Sequence, residues 1–487
     1  MSPLTQTRKE NDSLGEREIP IDAYYGIQTA RAIENFPISG RRPYPELVTA
    51  TVRIKRAAAT ANRKLGALDP RIAEAIEAAA DEVLSGALRE HFVVDPFQAG
   101  AGTSHNMNAN EVLANRAIEL LGGEKGDYRL VHPNDHVNMA QSTNDVFPTA
   151  MRLSSLELVE KLVRQMQSLR DSLRAKATEF DRIVKSGRTH LQDAVPVRLG
   201  QEIGAYSTAT DKNIRRVELA SDELREIGLG GTAAGTGLNA PPGYRKLVVE
   251  ELSALTGQEL RPTGDYFESM QSMSPFVLLS STLKVFATDL VRIANDLRLL
   301  SSGPNTGLAE IALPPVQPGS SIMPGTVNPV IAEMTGMVCF QVIGNDAAIT
   351  SAAQAGQLEL NVMMPVIAFN LLMSLSILTS DLRVLRERCI DAITANEERC
   401  RWYVEHSVSL VTALNPRIGY ARAAEIAKRA IKSGKTIRET LTEEGLMSPE
   451  EIEKVMDTYS MTEESGASGA SGASLSRQTS LDSNDAK

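Results

Sequence analysis

The residues of this chain that are suited to chemistry are short neutral side chains, hydroxyls and amides, gathered in four polar segments. The segments are "GAGTSHNMNANE" (100–111), "HPNDHVNMAQSTND" (132–145), "GRTHLQDAVP" (187–196) and "GSSIMPGTVNP" (319–329). The candidate donors that they supply are Thr103, Ser142, Thr143, Asn144, Thr189, His190, Ser320, Ser321 and Asn328. Such an inventory of neutral donors suits a small, multiply charged anion such as a dicarboxylate.

Each segment, taken singly, also has a plainer interpretation as a helix cap. Ser, Thr, Asn and Asp are the residues that helices prefer at their N-termini. For any one segment the cap is the better explanation, and a binding site is favoured only when the four are taken together. For His190, a structural hydrogen-bonded histidine and a group that orients or relays a proton remain equally open.

Long amphipathic helices are the elements that must position these segments. Aromatic residues make up only 4% of the chain, which favours helix over sheet. The segment "SSLELVEKLVRQMQSLRDSL" places Leu156, Val159, Val163, Met166 and Leu173 at steps of three and four residues, with one gap. The segments "KNIRRVELASDELREI" and "PFVLLSSTLKVFATDLVRIANDLRLL" (275–300) have similar patterns. These wide apolar stripes predict a mainly α fold built on a helical bundle that continues across subunits.

The length of 487 residues indicates several domains. Changes in composition predict an N-terminal domain over 1–145, a central helical-bundle domain over 146–397 and a small C-terminal helical domain over 398–463. Residues 464–487 contain a Gly-Ala-Ser repeat, which predicts a disordered tail or an artificially added linker.

Charge and cysteine usage exclude several classes of protein. The net charge of −10 is spread without a basic block, which disfavours nucleic acid as a partner. Three cysteines without metal-ligand spacing, and a polar N-terminus, predict a cytoplasmic protein without a metal site. The uncharged run "VMMPVIAFNLLMSLSIL" (362–378) is slightly short of a membrane span and predicts a buried core helix.

The glycine-rich segment "GLGGTAAGTG" (228–237) superficially resembles a dinucleotide-binding loop. Such a loop follows a β-strand, whereas the pattern before this one is helical as far as about Ile227. We therefore expect a loop that lines a pocket.

The polar segments carry a family resemblance. "GSSIMPGTVNP" resembles the signature loop of the aspartase/fumarase superfamily, and "GRTHLQDAVP" and "HVNMAQSTND" resemble its other two blocks. The resemblance extends from about residue 10 to about residue 460, and Val195 favours the aspartase branch. It implies a three-domain fold whose central bundle assembles into a homotetramer, with active sites shared between chains and no organic cofactor.

The resemblance also implies a reaction and roles for the residues. Enzymes of this type eliminate an amine or water from a succinyl skeleton through an aci-carboxylate intermediate. It implies Ser320 as the base and Met323 as an apolar cover on the loop. It places Thr103, Ser142, Thr143 and Ser321 around the β-carboxylate, with His190, Thr189 and Asn144 near the leaving amine. His132, Asn134 and Asp135 resemble a secondary anion site, or simply shape a turn.

The sequence departs from the family pattern at the signature loop. Thr326 stands where the family has a lysine, which is expected to pair with the substrate α-carboxylate beside Asn328. Met364 replaces a common Glu, and His105 occupies a usually smaller or apolar position, whereas Glu333 is retained. Loss of a cation from a buried carboxylate costs about 2–5 kcal/mol, so weaker activity on aspartate or a changed substrate is expected. An engineered and a natural origin of Thr326 both remain open.

Three functions follow from the resemblance. The first is a carbon–nitrogen lyase acting on L-aspartate or a related β-amino acid, a small-molecule substrate. The second is a fumarase-type carbon–oxygen lyase, which differs only at the leaving group. The third is a catalytically impaired member kept as a scaffold, which intact Ser320 and His190 disfavour and Thr326 favours.

Overall fold

The structure of this chain is a computed structural model. It describes residues 6–323 and 325–463, so the tail predicted at 464–487 lies outside the described residues.

Helices make up most of the described chain, as the sequence predicts. The first helices are α1 Ile27–Asn35, α2 Pro45–Lys64, α3 Pro70–Leu84, α4 Thr103–Leu120, α5 Thr143–Glu179 and α6 Leu199–Asp222. They are followed by α7 Tyr244–Thr256, α8 Tyr266–Gln271, α9 Ser274–Leu300, α10 Val330–Ala353 and α11 Met364–Arg388. The last are α12 Glu397–His406, α13 Asn415–Ile418, α14 Tyr420–Ser433, α15 Ile437–Glu444 and α16 Pro449–Val455.

Local sequence explains where several helices begin. Asp69 accepts hydrogen bonds from the backbone N–H groups of Arg71 and Ile72 and so caps α3, and Pro70 fits its first position. Helices α15 and α16 each begin with a reciprocal capping box, Thr436 with Glu439 and Ser448 with Glu451.

The predicted apolar stripes face the interior. Leu156, Val159, Met166 and Leu173 are buried along α5, and the same is true of the stripe on α6. This burial confirms the mainly α prediction and gives long, stiff helices whose ends carry the polar segments.

Helix α11 contains all but the first two residues of the uncharged run that the sequence singles out. By length and composition alone, Met364–Ala392 could cross a membrane, and 61% of its most apolar window is buried inside the protein. It packs against α10, where the Asn345 side chain donates to the Ser374 hydroxyl at 2.9 Å. A core helix of a soluble protein passes the same test of length and composition.

The described strands form two-stranded pairs. The strands are β1 Thr7–Asp12, β2 Gly15–Pro20, β3 Val184–Thr189, β4 Gln192–Arg198, β5 Glu226–Ile227, β6 Arg261–Pro262, β7 Ile311–Ala312 and β8 Thr394–Ala395. Strands β5 and β6 are parallel, and the other three pairs are antiparallel. The two residues of β5 directly precede the glycine-rich segment, where the sequence predicted helix, because a single parallel ladder with β6 outweighs local propensity.

The chain forms two compact units. Among the described residues, the first comprises 6–172, 207–298 and 314–392, and the second comprises 173–206, 299–313 and 393–463. These units are grouped by contacts in space, whereas the domains predicted over 1–145, 146–397 and 398–463 are consecutive stretches of sequence. That division stays a prediction.

Candidate active site

A polar cavity of about 580 Å³ lies in the first unit, beside the start of α5. Ser142 and Thr143 line it together with amides from α4 and from the segment before α5. The other polar residues of its wall are Asn106, Asn134, Asp135, Asn138, Gln141, Thr232 and Asn239. The cavity therefore gathers the neutral hydroxyls and amides that the sequence predicts for binding an anion.

The hydroxyls of Ser142 and Thr143 are presented by the first turn of α5. The backbone N–H of Asn144 donates to Ser142 Oγ at 3.2 Å, so Ser142 also acts as the helix cap that the plainer interpretation predicts. Because that bond uses an oxygen lone pair, the Ser142 hydrogen stays available to an acceptor. Capping and binding are compatible at this residue.

Asp145 ties this turn to the glycine-rich segment. One carboxylate oxygen accepts from Ser142 N–H, and the other accepts from the N–H groups of Gly230 and Thr232, each at 2.9 Å. Burial raises the pKa of Asp145 to about 6, although these three backbone donors oppose the rise. The carboxyl group thus fixes two walls of the cavity against each other.

Arg245 holds the glycine-rich segment from its other side. Its guanidinium donates to the carbonyls of Gly230 and Gly235 at 3.0 and 2.8 Å and lies 3.9 Å from the centre of the Tyr266 ring. Gly230 has φ of +95°, a conformation that favours glycine. The segment lines the cavity through Thr232 and Ala233, which confirms the expectation of a pocket wall.

A buried lysine supports the segment before α5. Lys55 on α2 is fully buried, and its ammonium donates to Asn138 Oδ1 at 2.8 Å and to Gln141 Oε1 at 3.0 Å. Burial lowers the pKa of Lys55 to about 7, against the opposing charge of Asp145. The hydrogen-bond acceptors of Lys55 are thus two neutral side-chain oxygens rather than a carboxylate.

Thr103 begins α4 and is exposed. Its hydroxyl donates to the Gly100 carbonyl at 2.5 Å, so its hydrogen is used within the chain. Asn144 donates through its side chain to the Ala233 carbonyl at 2.8 Å, beside the cavity wall. Neither Thr103 nor the loop at 319–329 is among the described residues that line the cavity.

The signature loop folds tightly on itself, and much of it is exposed. Ser320 Oγ accepts hydrogen bonds from the backbone N–H groups of Ile322 at 3.2 Å and Met323 at 3.0 Å. The Thr326 hydroxyl donates to the Met323 carbonyl at 3.0 Å. A side chain at Gly319 would collide with the Thr326 carbonyl, at 1.8 Å from an added Cβ, so the turn needs glycine here.

These bonds place two backbone donors on the Ser320 oxygen. Two backbone N–H groups that point at one oxygen stabilise negative charge on it and so favour the alkoxide. Ser321, Met323 and Asn328 are exposed on the same loop, and Pro324 lies outside the described residues.

In the second unit, Thr189 and His190 stand at the exposed tip of the β3–β4 hairpin. His190 and Leu191 form its two-residue turn, with φ of +56° and +58°. Positive φ at both positions is the signature of a type I′ turn, which normally selects Asn-Gly. The His190 backbone therefore adopts a conformation that few non-glycine residues take.

Buried ion pairs anchor the hairpin within this unit. Glu310 is fully buried and pairs with Arg188 at 2.9 Å and with Lys185 at 3.0 Å. The Arg188 guanidinium also lies 5.1 Å from the centre of the Tyr403 ring. Because Arg188 directly precedes Thr189, this cluster limits movement of the turn.

Two of the three family departures, His105 and Met364, lie inside the packed protein. His105 is buried, and its Nε2 lies 2.9 Å from the Thr51 hydroxyl, which itself donates to the Leu47 carbonyl. With the Thr51 hydrogen on the Leu47 carbonyl, Nε2 carries the imidazole hydrogen. Burial lowers the pKa of His105 to about 4. Met364 is fully buried at the first position of α11.

His132 shapes a turn, as its second interpretation predicts. Its Nδ1 accepts from the N–H groups of Asn134 and Asp135, each at 3.2 Å, and so caps a short π-helical turn over Pro133–Val137. Among residues 6–323 and 325–463, no group of histidines, cysteines and carboxylates has the arrangement of a metal site. The three cysteines are buried and unpaired.

Comparison with known proteins identifies the family. A family model described as "Lyase" matches residues 15–344, and a second, described as "Fumarase C C-terminus", matches residues 410–463. The chain belongs to the aspartase/fumarase superfamily. The resemblance carried by the three polar blocks is therefore confirmed.

Curated relatives within the superfamily match almost the whole chain. Aspartate ammonia-lyase from Pseudomonas aeruginosa is 54% identical over 450 residues, which cover 92% of this chain and 95% of that protein. Aspartate ammonia-lyase from Bacillus subtilis is 50% identical over 455 residues, or 93% of this chain and 96% of that protein.

Solved structures of the superfamily share the fold. One is a fumarate lyase:delta crystallin from Brucella melitensis bound to cobalt, with a TM-score of 0.92 and 52% identity. The match covers 94% of this chain and 100% of the Brucella melitensis chain. A class II fumarase from Schistosoma mansoni has a TM-score of 0.91 and 38% identity and covers 94% of this chain and 99% of its own. The predicted superfamily fold is confirmed.

The sequence did not reveal the buried residues that support the predicted donors. Lys55, Asn106, Asn138 and Asp145 are buried, or form their bonds inside the protein, and contact the predicted donors. A lone lysine within "VRIKRAAAT" and amides spaced four apart in "NMNAN" are the signals that could have found two of them.

Proposed function

We propose that this chain is a carbon–nitrogen lyase that converts L-aspartate to fumarate and ammonia. Relatives named aspartate ammonia-lyase, about half identical over more than nine-tenths of the chain, carry this proposal. The polar cavity and the hydrogen bonds at Ser320 are the local features that support it.

Proton removal is assigned to Ser320. In this proposal its alkoxide takes the proton from the carbon beside the β-carboxylate. The N–H groups of Ile322 and Met323 lower the cost of the oxyanion that precedes this step. The electron pair left on carbon moves into the carboxylate and gives a dianionic aci-carboxylate.

Stabilisation of the dianion is assigned to the hydroxyls of Ser142, Thr143 and Ser321. In this proposal Thr103 joins them when its hydroxyl turns away from the Gly100 carbonyl. Neutral donors bind a monoanionic carboxylate moderately and shorten their bonds as its charge grows. The cavity supports this role, because Asp145 and Lys55 hold the wall that carries Ser142 and Thr143.

Departure of the amine completes the reaction. The carbon–nitrogen bond breaks, the carbanion electrons form the double bond, and ammonia leaves beside His190, Thr189 and Asn144. The fixed backbone of His190 supports a role in orienting this group. Asn328 binds the α-carboxylate with Thr326, and Met323 covers the site when the loop closes.

Two substrates distinguish this function from its runner-up. The purified protein is incubated separately with L-aspartate and L-malate, and fumarate absorbance is followed. We expect fumarate from aspartate and little from malate. Turnover of malate alone contradicts the carbon–nitrogen assignment and favours a fumarase-type reaction. No turnover of either, with no addition of an amine to fumarate, favours a scaffold.

We also propose a homotetramer with active sites shared between chains. The bundle helices leave large apolar side chains exposed: Leu219 on α6 is 75% exposed, and Met337 and Phe340 on α10 are 67% and 61% exposed. A groove of about 520 Å³ between α6 and α9 is lined by Leu219, Leu278 and Val285. Light scattering after size-exclusion chromatography tests the assembly, and a monomeric mass contradicts it. A cytoplasmic location remains part of the proposal.

A further inference from the structure

A chain of hydrogen bonds leads from Lys55 to the Thr143 hydroxyl, and its direction is fixed at Asn138. The Asn138 side chain lies 3.2 Å from the Gln141 backbone carbonyl, which can only accept, so the amide nitrogen of Asn138 faces it. The Asn138 carbonyl oxygen therefore faces Lys55 and accepts from its Nζ at 2.8 Å.

The Asn138 oxygen in turn orients two buried asparagines of α4. Asn106 and Asn110 each place a side-chain nitrogen 3.2 Å from it. An oxygen that only accepts requires an N–H₂ group from each neighbour. The orientation of both side-chain amides thus follows from Asn138.

Only one of these two asparagines contacts a predicted substrate donor. Asn106 Nδ2 lies 3.1 Å from Thr143 Oγ1, inside the protein. Because the amide nitrogen must donate, it occupies a lone pair of the hydroxyl and leaves the hydroxyl hydrogen for another acceptor. No acceptor for that hydrogen is found among residues 6–323 and 325–463, and Thr143 lines the cavity.

We propose that Asn106 is a positioning residue that keeps the Thr143 hydroxyl as a hydrogen donor toward a carboxylate in the cavity. Asn138 sets this polarity, because its amide nitrogen is held by the Gln141 carbonyl and its oxygen accepts from Lys55 and Asn106. The inference rests on the proposed function, since the carboxylate is that of the dicarboxylate substrate. It explains why a lysine is buried against two amides instead of a carboxylate.

A double-mutant cycle tests whether Asn106 acts through Thr143. Asn106→Ala, Thr143→Ala and the double variant are compared with wild type for kcat and KM on L-aspartate. We expect Asn106→Ala alone to lower kcat about 10- to 100-fold, with a smaller change in KM. With Thr143 already replaced, Asn106→Ala should lower kcat less than about threefold. Independent effects of the two substitutions would overturn the inference.

Asn110 provides the matched control. It lies one turn further along α4, is equally buried and donates to the same Asn138 oxygen, but its other hydrogen bond goes to Met107 Sδ. Asn110→Ala should therefore cost at least about tenfold less in kcat than Asn106→Ala. An equal loss from both would show that the amides only support the fold.

Two further variants distinguish a change at the Thr143 hydroxyl from a loss of folding. Asn106→Asp has the same shape, but its carboxylate accepts the Thr143 hydrogen, so kcat should fall at least as far as in Asn106→Ala. Thr143→Ser keeps the hydroxyl, and Asn106→Ala should act in that background as it does in wild type. Activity retained in a folded Asn106→Asp protein would overturn the inference.

Fumarate binding separates this inference from the proposed function. Calorimetry with fumarate is performed on wild type and on the proteins of the cycle. If the wild-type protein binds fumarate but does not turn over aspartate, the proposed function is contradicted. The double-mutant cycle is then evaluated from the Kd values for fumarate. Coupling between the two substitutions supports the inference, and additive effects overturn it. A wild-type protein that neither binds fumarate nor deaminates aspartate overturns both.

Discussion

The cavity beside α5 and the signature loop both supply predicted site residues in the first unit, but they are held in different ways. Ser142 and Thr143 rest on buried side chains, among them Asp145, which accepts three backbone hydrogen bonds. The loop at 319–329 is held by its own short-range hydrogen bonds, and many of its side chains are exposed.

This difference matches what the two regions are proposed to do. Donors that stabilise a developing charge act best when their positions are fixed before the reaction. A base on a loop must approach the substrate and later withdraw, which requires few bonds to the rest of the protein. The fold thus separates the buried wall proposed to bind substrate from the loop that carries the proposed base.

The largest effect is expected at the loop. Ser320→Ala removes the proposed base and should lower kcat by about 10²- to 10⁴-fold, measured by fumarate release from aspartate. Ser168→Ala, at an exposed serine that donates to the Arg164 carbonyl on α5, is the control and should keep full activity. A Ser320→Ala protein within tenfold of wild type rules out the assignment.

A smaller loss is expected when the wall is loosened. Asp145→Asn replaces an acceptor oxygen by a donor that faces backbone N–H groups, so kcat/KM should fall about 10- to 100-fold. Asp346→Asn is the matched control. Asp346 is a buried carboxylate on α10 that accepts from Ser280 and Lys284, and its loss should lower Tm with little change in kcat/KM. Equal kinetic losses in both variants would mean that Asp145 has no special tie to the site.

A gain is expected from restoring the loop cation. Thr326→Lys places an ammonium beside the proposed α-carboxylate position and should raise kcat/KM on L-aspartate by at least about tenfold. Thr326→Met, similar in length but neutral, separates charge from bulk and should give no gain. If the lysine variant is unchanged, the assignment of position 326 to the α-carboxylate is wrong.

The smallest effect concerns stability in acid. An unfolded histidine titrates near pH 6.5, whereas burial lowers the pKa of His105 to about 4. Above pH 6.5 both states are neutral. Between about pH 6.5 and 4 the unfolded chain binds a proton that folded His105 does not, so stability falls as pH falls, by roughly 3 kcal/mol.

Comparison with a variant isolates this contribution. His105→Gln keeps a donor for the Thr51 hydroxyl but does not titrate, so its free energy of unfolding should depend less on pH over that window. Urea unfolding of both proteins at several pH values measures the difference. Parallel pH profiles would show that His105 has the same pKa in the folded and the unfolded protein.

The sequence predicted the helices well where a repeating apolar pattern decides the outcome. The stripe from Leu156 to Leu173 is buried as predicted, because a spacing of three and four residues determines one helical face. The two-residue strand β5 was missed, since only its distant partner β6 makes it a strand.

Only the candidate residues at the surface of the cavity were predictable from the sequence. Ser142 and Thr143 were found from their residue types and their block. Lys55 lies on α2, 83 positions from Asn138 along the chain, and no local sequence pattern connects the two residues. Hydrogen bonds between distant elements depend on tertiary packing, so the buried layer had to come from the structure.

The division between binding wall and base is tested most directly by fumarate affinity. Calorimetry compares Ser320→Ala and Thr143→Val with the wild-type protein. We expect Ser320→Ala to bind fumarate within about threefold of wild type while it fails to turn over aspartate, and Thr143→Val to bind at least about tenfold more weakly. Weak binding by Ser320→Ala together with unchanged binding by Thr143→Val would contradict the account.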